Sequence, residues 1–391
     1  MPSAEPIYLD HAATTPVRPE VRAAMEPFLG PRFGNPSSLH RWGHEARAAL
    51  DETRDRLAAT LGARPDEVCF TSGGTEADNM AVLGAWRARR GEGRTAVVTT
   101  PIEHKAILAA AHQVAREGGQ ERIVDVDAAG TVGADSFAAA LGGDVAICSV
   151  MWINNEIGVV QDVPALAAAA KACGALFHTD AVQAFGKLAI DAAAQPFDML
   201  SLSGHKFGAP KGVGAVYLRR GTPLEPLLHG GSQDRGRRPG TENVAAAVAM
   251  AVAAELAVAE RADEWARLEA LRDRLEAAIL ARVPDALVHA RDARRAPHIL
   301  SISVPGTDSE SLLMALDIAG VAASGGSACQ SGNVSPSHVL TAIGLPPELA
   351  GAAVRLSLGH LTTDACVDRV AELFPTLVEK ARRAAGAGAG W

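Results

Sequence analysis

Ser201-Leu202-Ser203-Gly204-His205-Lys206-Phe207 closes an apolar run that begins at Met199, and Gly208-Ala209-Pro210-Lys211-Gly212 follows at once. The run reads as a buried strand, and the glycines and proline behind it as a turn. Lys206 then stands at the carboxyl end of a strand, flanked by Ser203 and His205 as donors for an anion. A partly desolvated amine near other cationic groups has a lowered pKa and can form an imine with a carbonyl. An ordinary surface lysine is the competing reading, and the neighbouring segments decide between them.

Short apolar runs alternate with helical patterns from about Pro65 to Leu218. The runs are Val68 to Thr71, Ala96 to Thr99, Val145 to Val150, Leu176 to Thr179, Met199 to Leu202 and Gly214 to Leu218. Lys105 to Glu117 and Ala165 to Cys173 carry helical periodicity between them. Such alternation predicts a mostly parallel α/β sheet covered on both faces, with ligands gathered beyond the carboxyl ends of its strands. After Asn243 the pattern turns into nearly continuous helix to about Val283, rich in good helix formers and stopped by Pro284. A strand (His298 to Val304), a helix (Ser309 to Ile318), a second strand (Ala353 to Leu358) and a helix from Asp364 to about Ala385 complete a smaller α+β part.

Two further segments belong to the same predicted edge. Phe177-His178-Thr179-Asp180-Ala181-Val182-Gln183 places Asp180 at a strand's carboxyl end, as a helix cap or as the partner of a protonated heterocyclic nitrogen. Thr71-Ser72-Gly73-Gly74-Thr75-Glu76-Ala77-Asp78-Asn79 runs from strand into helix. Its glycines let the backbone approach an anion, and helix N–H groups favour phosphate. It matches neither the Walker loop nor the dinucleotide fingerprint, and alone such a turn is more often only a turn. With Asp180 and Lys206 on one edge, the surface-lysine reading loses ground.

At 391 residues the chain exceeds one growing core, so two domains are expected. A net charge of −8 argues against direct nucleic-acid binding, and Arg235, Arg237 and Arg238 read as a solvated loop. The N-terminus shows no basic start or apolar run, and Glu255 interrupts the apolar piece Val244 to Ala259. A cytoplasmic chain with no membrane span is expected. Of five cysteines, Cys69, Cys148, Cys173 and Cys366 sit among apolar residues and read as buried thiols. Cys329 differs, lying in the polar segment Ser324 to Gly332. His11, His40, His44 and His360 read as caps, surface residues or satisfied core.

Taken together these segments resemble the aminotransferase class V enzymes of pyridoxal-phosphate fold type I, and within them the cysteine desulfurases of the NifS/IscS type. The likeness spans nearly the whole chain, from Tyr8-Leu9-Asp10-His11-Ala12-Ala13-Thr14-Thr15-Pro16 to Arg355-Leu356-Ser357-Leu358-Gly359. Between them lie Asn35-Pro36-Ser37-Ser38, Glu103-His104-Lys105, Asn154-Asn155-Glu156-Ile157-Gly158, Arg238 to Asn243 and Ser327-Ala328-Cys329.

The resemblance implies a large domain over 15–255 built on a mostly parallel seven-stranded sheet. It implies a small domain from 1–14 and 256–391 that carries the catalytic cysteine loop, about 324–336. It further implies pyridoxal phosphate as cofactor, bound covalently by Lys206, which also shuttles protons. Asp180 pairs with the ring nitrogen, Gln183 reaches the ring oxygen, and His104 covers the ring and assists acid–base steps. Gly74, Thr75, Ser203, Gly204 and His205 bind the phosphate, with Thr241 supplied by the other subunit of a homodimer. Asn155 touches cofactor or substrate, Arg355 clamps the carboxylate of L-cysteine, and Asn35 is a second carboxylate contact.

The implied reaction takes sulfur from L-cysteine, leaving alanine and a persulfide on Cys329. The persulfide goes to an acceptor such as an iron–sulfur scaffold or a tRNA or DNA thiolation enzyme. No resident metal is implied, Cys329 being at most a transient iron–sulfur ligand. Gly325-Gly326 stands where serines are common, and the stretch between Lys206 and Thr241 is slightly short; both bear on the acceptor. Selenocysteine lyase, another class V enzyme and a sulfur-carrying scaffold without turnover are the alternatives.

Overall fold

The structure is a computed structural model. It describes residues 5–325 and 336–388, so Cys329 and most of its expected loop lie outside the described residues. One sheet dominates. Its strands, in spatial order, are Val68–Thr71, Gly214–Leu218, Met199–Ser203, Leu176–Asp180, Val145–Ser149, Ala96–Thr99 and Gln120–Ile123. Only Gly214–Leu218 runs antiparallel to its neighbours, so all the other strands end on one edge.

The strands at the heart of the sheet are apolar runs with every residue buried, as Val145–Ser149 shows, because helices cover both faces. Phe177, Phe197 and Tyr217 fill the core on one side, and Met80, Trp86 and Ile147 that on the other. Gln120–Ile123 escaped the sequence pattern. As an edge strand it is half exposed and largely polar, so no apolar run marks it.

The helix expected to run unbroken to Val283 is two helices, Val244–Ala259 and Arg261–Arg282. Asn243 starts the first by accepting the Ala246 N–H. The break falls at Glu260, whose carboxylate grips Arg18 at 2.6 and 2.8 Å. It lies where the chain leaves one core for another: Ala246 to Ala254 pack under the large sheet, while Leu268 to Ile279 join a second core. One straight rod cannot serve both. The second helix ends at Arg282, and Val283 leaves the helical region because a proline follows.

That second core holds Leu275, Leu300, Leu356 and Phe374. It lies against a three-stranded antiparallel sheet ordered Ala353–Ser357, Ile299–Ser303, Leu287–Val288. The N-terminal segment joins it: Ile7–Tyr8 pairs with Val321–Ala322, and Asp10 bridges to Ser357. From there the chain crosses to the large sheet, where the Thr15 N–H meets the His205 carbonyl at 3.0 Å.

Three smaller expectations need correction. Arg237 pairs with Asp234 and Arg238 with Glu76, so only Arg235 of that trio is a solvated side chain. Cys69 and Cys148 are buried, but Cys173 and Cys366 are half-buried, sitting near helix ends. His40 caps the helix Arg41–Thr60, and His44 and His360 are exposed. His11, by contrast, is buried with its Nε2 unpartnered among the described residues, so it is not a satisfied core histidine.

Candidate active site

The carboxyl ends of the strands surround a cavity of about 520 Å³, within the usual range for a small-ligand site. Gly73, Gly74 and Thr75 border it after the strand Val68–Thr71, and His104 after Ala96–Thr99. Met151, Asn155 and Glu156 border it beyond Val145–Ser149. Asp180 and Gln183 come from the end of Leu176–Asp180, and Ser203, His205 and Lys206 from the end of Met199–Ser203. Arg355 reaches in from the small sheet.

Lys206 ends a single helical turn, Gly204–Lys206, that immediately follows its strand. Its Nζ donates to the carbonyls of Ala12 and Ala13, each at 2.8 Å. Asp180 is buried, and its Oδ1 accepts the Val182 N–H at 2.8 Å. Burial pushes its carboxyl up, against the pull of His104, the Val182 N–H and Lys206. Its ionised form therefore requires a cation facing it in the cavity.

His104 caps the helix Lys105–Arg116, accepting the Ala106 N–H at 3.1 Å through Nδ1. Burial holds its imidazole below the usual range and so neutral, with Asp180 opposing and Lys206 and Lys105 assisting. Burial also lowers His205, to about 4; its Nδ1 lies 3.1 Å from the Thr14 hydroxyl.

The helix Gly74–Arg89 opens at the cavity, and its first-turn N–H groups have no intrahelical partner. Asn155 is aimed by its neighbour: Asn154 Oδ1 accepts the N–H groups of Glu156 and Ile157, each at 2.9 Å, in a tight side-chain turn. Arg355 is 3 % exposed and is held from three sides. It donates to the Asn155 carbonyl at 2.7 Å, to Asp10 at 2.9 Å and to Ser324 at 2.7 Å. Its Nε has no partner among the described residues.

Not every predicted residue meets the others. Gly204 does not border the cavity, and its one N–H is spent on the Val213 carbonyl at 3.0 Å, so it has nothing to give a phosphate. A Cβ there would sit 2.9 Å from both Ala209 and Val213, so packing explains the glycine. Asn35 lies on an exposed loop with its side chain turned back to the Ser37 N–H, away from the cavity of its own chain. Thr241 is exposed and does not border that cavity.

The pattern reading missed Ala12 and Ala13, which act through backbone carbonyls that carry no sequence signal. It missed Asp78, which borders the cavity and whose buried Oδ1 faces His178 Nε2 at 3.8 Å, although the residue stands in the quoted Gly-rich motif. It also missed Glu156, whose buried carboxyl rises to about 7 through burial while the Ser337 hydroxyl donates to it.

Known proteins resemble this chain over almost its whole length. The aminotransferase class-V family model matches residues 7–370. A cysteine desulfurase of Gluconacetobacter diazotrophicus is 46 % identical over 378 residues, covering 96 % of this chain and 94 % of that protein. The cysteine desulfurase NifS of Azotobacter vinelandii is 45 % identical over 377 residues, covering 96 % and 93 %. A solved NifS-like protein superposes with a TM-score of 0.89 at 33 % identity, covering 96 % of this chain and 99 % of its own.

Proposed function

Because the chain belongs to the aminotransferase class-V family and is a cysteine desulfurase of the NifS/IscS type, we propose that pyridoxal phosphate binds at Lys206 and that sulfur leaves on Cys329. One observation carries this: the Lys206 amine, the buried Asp180 carboxyl and the open helix N-terminus at Gly74 share a single cavity. The donor set fits the cofactor group by group, with an amine for its aldehyde, N–H groups for its phosphate and a carboxyl that needs a cation for its ring nitrogen.

Pyridoxal phosphate would supply an aldehyde that takes up amines and a ring that draws electrons from the substrate carbon. The N–H groups at Gly74 and Thr75, with Ser203 and His205, would hold the phosphate. Asp180 would keep the proton on the ring nitrogen, Gln183 would donate to the ring oxygen, and the neutral His104 would lie against the ring and take part in proton transfer. Lys206 Nζ removes and returns the substrate's α-proton. Arg355, its plane fixed by Asp10 and Ser324, takes the carboxylate of L-cysteine beside Asn155. The Cys329 thiolate attacks the substrate sulfur; the S–S bond forms as the Cβ–S bond breaks, and the carbon side takes a proton to leave as L-alanine.

Thr75 is exposed at the phosphate end of the cavity in a single chain, which supports a homodimer in which the partner subunit's Thr241 closes it. The persulfide then passes to an acceptor protein for iron–sulfur assembly or thio-modification, in the cytoplasm. Among the described residues no helix is long and apolar enough to cross a membrane.

Borohydride reduction of the purified protein followed by peptide mapping should place a pyridoxyl group on Lys206. Cys329→Ser should still bind cysteine yet release no sulfur. An adduct on another residue, or a serine variant that makes alanine and sulfide at the parent rate, would overturn the assignment.

A further inference from the structure

Lys206 also borders a second, smaller chamber of about 100 Å³, together with His11, Lys187 and His298. His298 is 2 % exposed, and its Nε2 lies 3.1 Å from Gln183 Oε1. Gln183 Nε2 in turn donates to the Ala12 carbonyl at 2.9 Å, the same carbonyl that accepts from Lys206 at 2.8 Å. An imidazole, an amide, a backbone carbonyl and the amine thus form one chain across residues far apart in sequence.

The polarity of that chain follows from its carbonyl. A carbonyl only accepts, so the part of the Gln183 amide facing Ala12 is its NH2 group. Gln183 Oε1 therefore faces His298, and His298 Nε2 carries the hydrogen. Its Nδ1 is then a bare lone pair, and it has no partner among the described residues. A neutral ring is what the surroundings favour: burial above all, then Lys187, Arg355, His11 and Arg272, hold His298 well below the usual range.

We propose that His298 is a positioning residue for the site: by donating to Gln183 Oε1 it fixes the amide so that the NH2 group, not the oxygen, is presented beside Lys206. The second hydrogen of that NH2 is then available to an acceptor on a molecule bound in the main cavity. Without the His298 donor, Gln183 Oε1 becomes a buried acceptor with no partner, which is costly. Rotation of the amide towards Lys206 Nζ would relieve it and would turn oxygen, rather than N–H, toward the bound ring. This inference rests on pyridoxal phosphate occupying the cavity.

The test compares His298→Leu, which has no donor, with His298→Asn, which keeps one, each saturated with pyridoxal phosphate. The readout is the pH midpoint of the bound cofactor's visible absorption band. A donor to the ring oxygen stabilises its anionic form, so losing that donor moves the midpoint upward. The shift expected for His298→Leu is roughly half to one pH unit, the size set by one buried hydrogen bond. Pyridoxal phosphate should also dissociate about fivefold more readily. His298→Asn should stay near the parent.

Gln183→Ala should reproduce the upward shift, and His298→Leu added to it should move the midpoint no further. A purely structural role would give additive shifts. Should His298→Leu fail to fold, His298→Ala serves as the donorless variant. A donorless variant that titrates at the parent midpoint, or shifts equally in the Gln183→Ala background, overturns the proposal. A parent protein that takes up no pyridoxal phosphate would instead sink the reading of the whole site, so the two failures are distinct.

Discussion

Glu103 is fully buried next to His104, and burial pushes its carboxyl up to about 8 although the Thr100 hydroxyl and the Met151 N–H donate to it. An unfolded glutamate titrates near 4.3. Between those values the folded chain binds more protons than the unfolded one, so this side chain subtracts stability as pH rises from about 5 through about 8. Glu103→Gln cannot ionise. It should unfold in denaturant much like the parent near pH 5 and gain on it by up to about 4 kcal/mol towards pH 9. A difference that stays constant with pH would mean that Glu103 is ionised in the fold throughout. Lys206 and Asp180 were legible as single letters because each ends an apolar run; Glu103 was legible only as part of a motif. Its burial depends on Met151, reached from another strand.

The antiparallel strand Gly214–Leu218 lies between Val68–Thr71 and Met199–Ser203 and presses the Gly-rich turn into place. A Cβ at Gly214 would stand 2.6 Å from the Gly73 Cα and 2.6 Å from the Leu202 carbonyl oxygen, both backbone atoms that cannot swing aside. Gly214→Ala should therefore lift the Gly73–Gly74 turn, lowering the melting temperature by several degrees and weakening pyridoxal phosphate uptake about tenfold or more. Gly91→Ala, where an added Cβ meets nothing within 4 Å, is the control. If both variants melt and load alike, the strand does not position the turn. Element boundaries were readable where an apolar period or a proline set them. The edge strand Gln120–Ile123 and the break at Glu260 were not, because each answers to what the chain packs against.

At the scale of the whole molecule, the stretch from the end of the helix Pro19–Leu29 to the first turn of the helix Arg41–Thr60 exposes Leu29, Phe33, Leu39 and Trp42, by 69, 70, 90 and 51 %. That is a concentration of apolar side chains suited to burial against another chain, and the exposed Asn35 lies within it. A dimer that shares its sites has a clear signature. Neither Lys206→Ala nor Thr241→Ala homodimers should have full activity. Mixed and refolded together, they should recover alanine formation, because one site of the mixed dimer has both Lys206 and the partner subunit's Thr241 intact. Absence of recovery would assign Thr241 to its own chain's cavity.

The sequence by itself determined the alternation of strand and helix, the edge on which Asp180 and Lys206 stand, and the family to which those motifs point. Those features are local: periodicity, turn glycines and the last residue of an apolar run are written within a few positions of one another. Tertiary structure alone decided that the Ala12 and Ala13 carbonyls hold the amine, that the Gly204 N–H is spent on the Val213 carbonyl, and that Asp10 fixes Arg355 from 345 positions away. It also decided that His298 orients Gln183 from 115 positions away. Contacts between distant segments arise from how layers stack and cross, and no local period records them.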